Sequence, residues 1–322
     1  MSTLYLDRRD LRLRLDGQRL VVEEPGARAQ GIPLSHLERV VVQGTVGLDS
    51  ALLGALGERG IGVLFLSARQ SRQRGFLVGP GHADARRRLA QYALVSDAPR
   101  RLEWSRTLVA GKLDAQRALL ARALDRRPDR RKALMDGLDT LDRVREGLAG
   151  AADLEALRGL EGAGAAAYFG AFARLFPESL GCTGRNRRPP RDPVNAALSL
   201  GYTLLHNEAV RAAHRAGLDP LLGFFHEPAL GRESLACDLM EPLRPRLDRW
   251  VWWLFRERVV REHHFVADKG AVLLNKDGRR AYFAGYEPAA RRFRRYLRIQ
   301  AYRLARVLLE NAPDWPVADG EV

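Results

Sequence analysis

The chain contains only two cysteines among its 322 residues, Cys182 and Cys237, and no Cys-x-x-Cys pair. A disulfide framework and a thiolate zinc site are therefore not indicated, and a reducing cytoplasm is the expected location. No stretch approaches the roughly 20 apolar residues that a membrane helix needs. The charged residues at positions 7–10 stand where a signal peptide would need its apolar run. We therefore expect a cytoplasmic protein without a membrane segment.

Several familiar catalytic motifs are also absent from the sequence. There is no Walker-type phosphate loop, no Gly-x-Ser-x-Gly elbow and no dinucleotide-binding fingerprint after a strand. The segment 226–228 begins like a zincin helix but lacks the second histidine and contains a proline. With 46% apolar and 29% charged residues, the chain is neither disordered nor a miniprotein, and it can form one or two buried cores.

Lysine is scarce, since only four of the 53 basic residues are lysine, yet the formal net charge is +14. Such a charge attracts polyanions, so nucleic acid is the first partner to consider and an anionic membrane surface the second. Residues 1–80 hold 11 basic and 8 acidic residues, so most of the excess lies beyond them. The segment 291–306 contains seven arginines and no acid. Its spacing predicts an amphipathic helix whose arginines are either simply solvated or contact phosphate.

The sequence pattern changes from strand-like to helical near residue 80. Residues 11–22 alternate around Asp16-Gly17 and predict a β-hairpin, and the runs 39–43, 62–67 and 75–78 predict further strands. One short helix is expected at 50–58. Apolar residues beyond residue 84 recur every three to four positions, and this stripe also includes Lys112 and Gln116.

We therefore predict an α+β protein with two domains. A small β-sandwich-like domain would occupy residues 1–80, and a larger, mostly α-helical catalytic domain would occupy residues 81–322, with 312–322 frayed. A basic, proline-rich loop is expected at 181–193, inside the helical domain.

Three segments carry residues that could perform chemistry. Glu161 stands among small residues that would let a metal ion or a second chain approach, although a solvated helix glutamate fits as well. His226 follows an apolar run and is either a ligand or a satisfied structural histidine. Asp238 and Glu241 share a face if the helix has begun by Asp238, and two such close carboxylates repel unless a cation or a proton neutralises them. Alternatively, Asp238 is the N-cap of a helix with Glu241 at N3.

One imidazole with two or three carboxylates is a mostly oxygen ligand set, which suits Mg²⁺ or Mn²⁺ better than a soft metal. Beside a basic surface, such a centre would polarise a phosphodiester. Sequence spacing alone does not show that these residues converge.

Four segments, in order, resemble the CRISPR-associated spacer-acquisition integrases, the first-named Cas family. They are Glu161-Gly162-x-Gly164-Ala165-x-x-Tyr168-Phe169, the stretch from Arg187-Arg188-Pro189-Pro190 through Asn195 to Gly201-Tyr202, Gly223-Phe224-Phe225-His226, and Asp238 to Pro245. The resemblance implies a divalent ion on Glu161, His226 and Glu241, with Asp238 as a nearby acid rather than a direct ligand. It also implies a homodimer formed through the β-domain and a small ferredoxin-like CRISPR-associated partner protein.

The reaction that the resemblance implies joins the 3′-OH of spacer DNA to a phosphodiester at the edge of a CRISPR repeat; with water instead, the same centre would be a DNA endonuclease. The residues expected near the site or the DNA are Arg187, Arg188, Asn195, Tyr202, His206 and Arg244, together with Arg294, Arg295 and Arg298 on the basic helix. Competing interpretations are a structure-specific repair nuclease, an inactive DNA-binding scaffold and a membrane-surface protein.

Overall fold

The computed structural model describes residues 2–8, 10–68, 73–77, 79, 82–186 and 189–312. Its first part is rich in strands: β1 (Ser2–Leu6), β2 (Arg12–Asp16), β3 (Arg19–Glu23), β4 (Gln30–Pro33), β5 (Leu37–Gln43), β6 (Gly47–Leu48), α1 (Ser50–Glu58), β7 (Gly62–Leu66) and β8 (Gln73–Leu77). Helices follow, with one hairpin: α2 (Arg86–Ser96), α3 (Ala98–Leu124), α4 (Arg131–Gly147), α5 (Leu154–Ala173), α6 (Pro193–Arg215), α7 (Ser234–Met240), α8 (Arg244–Arg256), β9 (Phe265–Asp268), β10 (Ala271–Leu274) and α9 (Lys276–Glu310). The predicted α+β fold class is confirmed.

Two four-stranded sheets form the N-terminal part, in the orders β1-β5-β7-β8 and β4-β3-β2-β6. The predicted hairpin is β2–β3, with Asp16 opposite Arg19 and Gly17 at a φ of +56°, where a glycine avoids steric strain. Buried residues of both sheets and of α1 share one apolar cluster that includes Leu13, Leu20, Leu52 and Val63. The arrangement is a small sandwich, as the alternating pattern predicted.

The sequence pattern did not predict every strand. β1 pairs in parallel with β5, although about thirty residues separate them along the chain. The antiparallel hairpin β9–β10 interrupts the helical part. Residues 313–322, most of the segment expected to fray, lie outside the described residues.

The chain divides into two compact units, each assembled from separate segments. Unit 1 comprises Met1–Pro80, Phe172–Asn207 and Leu247–Arg292, and unit 2 comprises Gly81–Ala171, Glu208–Arg246 and Phe293–Val322. The helical segments 172–207 and 247–292 thus group with the strands of residues 1–80 rather than with the remaining helices.

In unit 1, the first half of α9 covers β1 through a mixed polar and aromatic contact. The Tyr5 ring stacks on Phe283 with 4.4 Å between ring centroids. Glu287 accepts hydrogen bonds from Thr3 Oγ1 at 3.0 Å and from the Tyr5 hydroxyl at 3.1 Å, and it lies 4.0 Å from the buried Arg39 guanidinium. These contacts attach the C-terminal segment of the unit to its first strand.

In unit 2, α3, α4 and α5 pack closely because glycine stands where they touch. A Cβ on Gly137 of α4 would lie 2.7 Å from the Cβ of Ala171 on α5 and 3.2 Å from Leu120 of α3. A Cβ on Gly164 of α5 would lie 2.7 Å from Leu113 of α3. The small residues around Glu161 therefore include one, Gly164, that serves helix packing rather than access to the carboxylate.

Gly137→Ala should destabilise the protein by about 1–3 kcal/mol, because the Ala171 backbone must shift to admit the methyl group. Gly159→Ala is the matched control, since Gly159 is an exposed position in α5 and a Cβ there would meet no other atom within 4 Å. The free energy of unfolding of this control should rise by up to about 1 kcal/mol, because alanine has a higher helix propensity than glycine. Urea unfolding of both variants measures the difference, and equal stabilities would contradict the packing argument.

Candidate metal centre

A buried aspartate holds the loop that carries His226. Asp238 lies in the middle of α7 with no exposed surface. One of its oxygens, Oδ2, accepts hydrogen bonds from the backbone N–H groups of Phe224 at 2.7 Å and Phe225 at 3.1 Å. The other oxygen, Oδ1, accepts a hydrogen bond from the backbone N–H of His226 at 3.0 Å. A Cβ on Gly223 would come within 2.6 Å of Oδ2, so this approach requires glycine. The loop conformation therefore depends on one carboxylate.

The N-cap interpretation of Asp238 is wrong. Helix α7 begins four residues earlier, at Ser234, with Glu233 at its N-cap position. The carboxylate of Asp238 is used by the 224–226 amides instead of by the first turn of a helix. Glu241 follows directly, at the start of a short 3-10 helix, Glu241–Leu243.

Asp238 also fixes the imidazole of His226. Its Oδ1 lies 2.6 Å from His226 Nδ1, and with the proton on Nδ1 the other nitrogen, Nε2, presents a lone pair. Burial raises the pKa of Asp238, while the contact with His226 opposes that effect. Nε2 faces Glu241, whose Oε1 is 3.8 Å away. A metal-ligating histidine is commonly held by this kind of carboxylate contact.

Two arginines reinforce the same loop from α3 and α5. Arg101 Nε donates to the Phe224 carbonyl at 2.7 Å, and Arg158 donates to the Phe225 carbonyl at 3.1 Å. Both guanidinium groups also contact Glu227, at 3.0 and 2.6 Å respectively. Although burial works against ionisation, hydrogen bonds from Arg158 and Arg101 lower the pKa of Glu227.

The carboxylates of Glu161 and Glu241 lie on either side of one ammonium group. Lys112, on α3, forms a hydrogen-bonded ion pair with Glu161 Oε1, and its Nζ is 2.6 Å from Glu241 Oε2. Arg244 Nε donates to Glu241 Oε1 at 2.6 Å. Glu241 is only 3% exposed; burial disfavours its ionised form, but Arg244, Lys112 and His226 lower its pKa below the usual value.

The donor chemistry of this group fits a hard divalent cation. It offers two carboxylates, an oriented imidazole nitrogen and a buried oxygen, Glu241 Oε2, that lacks a hydrogen bond despite its ion-pair contact. In the part of the chain that the structure describes, however, no group of three or more His, Cys, Asp or Glu side chains is arranged to hold a metal ion as it stands. The positive group between the two glutamates is the Lys112 ammonium.

Lys112, Arg101 and Arg158 were not among the residues predicted from the sequence. For Lys112 a signal was present: a lysine within the apolar stripe of a predicted helix, in a chain with only four lysines. Buried lysine requires a carboxylate partner, so that position indicated a buried ion pair. Arg101 and Arg158 could not be distinguished from the many other arginines.

The predicted neighbours Asn195, Tyr202 and His206 all lie on α6, in unit 1. The amide of Asn195 is buried and donates to Asp192 at 2.7 Å and to the Gly184 carbonyl at 2.8 Å, so it organises the preceding loop. The Tyr202 hydroxyl donates to buried Asp248. His206 is half-buried.

The predicted DNA-contacting arginines differ in their surroundings. Arg295 and Arg298 are exposed on α9, while Phe293 and Leu297 are buried, as the amphipathic pattern predicted. The expected outward position of Arg294 is wrong, because its guanidinium is buried 3.4 Å from Glu208. Arg244 pairs with Glu241. Arg187 and Arg188 lie outside the described residues.

Comparison with known proteins gives a consistent result. The family described as CRISPR associated protein Cas1 matches residues 4–288. The chain is 37% identical to the CRISPR-associated endonuclease Cas1 1 of Thermodesulfovibrio yellowstonii over 97% of this chain and 98% of that one. It is 38% identical to the endonuclease Cas1 2 of Rhodospirillum rubrum over 92% and 88% of the two chains.

Solved structures share the fold. A Cas1 protein from Thermotoga maritima superposes with a TM-score of 0.85 at 23% identity, covering 96% of this chain and 97% of that one. A casposase bound to an integration product gives 0.82 at 22% identity, over 98% and 92% of the two chains. A chain of a Cas6-RT-Cas1–Cas2 complex gives 0.81 at 24% identity, over 96% of this chain and 35% of that one.

The helices of the described residues include none with the length and hydropathy of a membrane span.

Asp238→Asn should destabilise the protein by about 1–3 kcal/mol. The side-chain nitrogen of asparagine cannot accept hydrogen bonds, so only one oxygen would remain for the three backbone N–H groups that now donate to two. Hydrogen exchange at the amides of residues 224–226 should accelerate in parallel. Asp139→Asn, at an exposed position of α4, is the control. Unchanged exchange in the Asp238 variant would show that the loop does not depend on this carboxylate.

Proposed function

The chain belongs to the CRISPR-associated Cas1 family, and from this premise we propose that it is a divalent-metal-dependent DNA endonuclease and integrase of CRISPR adaptation. The observation that carries the proposal is the oriented His226 imidazole facing Glu241, whose carboxylate shares the Lys112 ammonium with Glu161. The curated relatives, which are named endonucleases and match almost end to end, support the nuclease activity.

The ligands proposed for the ion, Mg²⁺ or Mn²⁺, are Glu161, Glu241 and Nε2 of His226. When bound there, the ion would act as a Lewis acid that stabilises charge on the phosphate and favours ionisation of the attacking hydroxyl. Asp238 keeps the proton on His226 Nδ1 and so keeps the Nε2 lone pair available. Arg244 holds one oxygen of Glu241 and keeps that carboxylate ionised.

In the proposed reaction, the 3′-hydroxyl of spacer DNA attacks a phosphodiester at the edge of a CRISPR repeat. One phosphorus–oxygen bond forms as another breaks, so no nucleotide cofactor is consumed. The displaced strand keeps the leaving oxygen as a hydroxyl. Water in place of the spacer hydroxyl gives strand cleavage at the same centre.

The partners we propose are DNA, a second copy of this chain and a small ferredoxin-like CRISPR-associated protein. The net charge of +14 and the exposed Arg295 and Arg298 support DNA binding. The fold is shared with a casposase bound to an integration product, which supports DNA as a partner, and with a chain from a Cas6-RT-Cas1–Cas2 complex, which supports the small partner protein by analogy. The second copy of this chain is proposed from the family resemblance alone.

Glu161→Gln or Glu241→Gln should reduce joining of a 3′-OH oligonucleotide to a repeat-bearing plasmid by at least about 100-fold. Mutation of residues that only hydrogen-bond to metal ligands already lowers metal affinity or activity by about 10–100-fold, and loss of a ligand should cost at least as much. The assay is run with Mn²⁺ or Mg²⁺ and with the small partner protein present. Glu155→Gln, at an exposed position of the same helix as Glu161, should join normally.

The outcomes of this assay separate the alternatives. Cleavage without any joined product, with or without the partner, would favour a repair nuclease. Joining and cleavage that both survive Glu161→Gln would contradict the assigned centre. A wild-type protein that binds DNA but neither cuts nor joins it would be a scaffold.

The logarithm of the DNA association constant should fall linearly with the logarithm of the salt concentration. The steepness of that line should be about 0.9 for each duplex phosphate that the protein contacts. Replacing both Arg295 and Arg298 by alanine should lower that slope by up to about 2. The double lysine variant keeps both charges and should keep the slope. Equal slopes for the wild type and the alanine variant would remove this face of α9 from the DNA interface.

A further inference from the structure

Lys112 occupies the centre of the cluster that we propose binds a metal. Its side chain is about 10% exposed, and both of its carboxylate partners, Glu161 and Glu241, are among the proposed ligands. A buried ammonium is costly to desolvate and is retained only with close partners. The position of Lys112 therefore calls for a role in relation to these two carboxylates.

The charge balance of the cluster depends on this lysine. Two carboxylates that face one another in a poorly solvated site repel, and a cation between them removes the repulsion. Arg244 contacts Glu241 on Oε1, and Lys112 contacts both glutamates. Lys112 thus connects α5, which carries Glu161, to the segment that carries Glu241.

The oxygens used by Lys112 are those that a metal ion between the glutamates would need. Glu161 Oε1 and Glu241 Oε2 both point at Nζ. A divalent ion that took these oxygens would bring two positive charges beside the ammonium, which is unfavourable in a buried site. The lysine side chain has four methylene groups and can withdraw by rotation about its own bonds.

We propose that Lys112 is an internal counter-cation: it keeps Glu161 and Glu241 together in the metal-free protein, and a divalent ion binds by displacing it. This role rests on the proposed function, because it concerns the metal site of that function. Metal affinity is then set by an exchange of one cation for another, and Lys112 lowers the affinity while it stabilises the metal-free fold. A purely structural ion pair would remain in place when metal binds.

The first test measures Mn²⁺ binding to the full-length protein by titration calorimetry. Lys112→Met removes the charge and keeps much of the side-chain volume, so Mn²⁺ should bind about tenfold tighter or more than to the wild type. The metal-free variant should melt at a lower temperature, and Mn²⁺ should raise its melting temperature more than that of the wild type. Lys132→Met, at an exposed position of α4, should match the wild type in each measurement.

The second test needs no variant and therefore holds even if Lys112→Met fails to fold. Lysine labelled with ¹³C at Cε gives a small set of signals, because the chain has only four lysines. Addition of Mg²⁺ should shift the Lys112 signal and leave those of Lys132, Lys269 and Lys276 in place. A Lys112 signal that does not shift at saturating Mg²⁺ would contradict the proposal that the ion displaces the Lys112 ammonium.

The two proposals fail in different ways. If the wild type binds Mn²⁺ and Lys112→Met binds it with equal or lower affinity, the counter-cation role is wrong and the metal site stands. If neither protein binds Mn²⁺ or Mg²⁺, the metal site of the proposed function is wrong, and the counter-cation role is wrong with it.

Discussion

The candidate centre depends on one buried carboxylate, that of Asp238. It accepts three successive backbone amides and contacts the imidazole of His226. Because these amides donate to a fully buried carboxylate, replacing that carboxylate leaves backbone donors unpaired. The same carboxylate therefore orients the imidazole before any ligand arrives, and Gly223 and Glu227 are tied to the same arrangement.

The electrostatics of the centre follow from its burial. Positive groups surround Glu241 on two sides, so it stays ionised although it is almost fully enclosed. The same argument explains Arg294, which a helical wheel would place with its basic neighbours but which pairs with buried Glu208. In an arginine-rich chain, the sequence periodicity indicates which face is apolar, but the acidic partners decide which arginines are buried.

Local features were predictable from the sequence because their causes are local. The turn at Asp16-Gly17, the bounds of α1 and the amphipathic character of α9 follow from turn chemistry and spacing. The parallel pairing of β1 with β5, the hairpin β9–β10 and the role of Asp238 depend on segments distant in sequence. Glu161, His226 and Glu241 were candidates from their local sequence, and the family resemblance grouped them as one ligand set. Their spacing could not show that Lys112 joins two of them.

The interleaved composition of the two units has a consequence for biosynthesis. The sandwich has its own apolar cluster within the first eighty residues, but its unit is complete only once residues up to 292 are available, and the other unit needs residues beyond that point. A ribosome must therefore release most of the polypeptide before either unit can close. Until then the first strand lacks its cover of Phe283 and Glu287, and its aromatic surface is open to chaperones or to self-association.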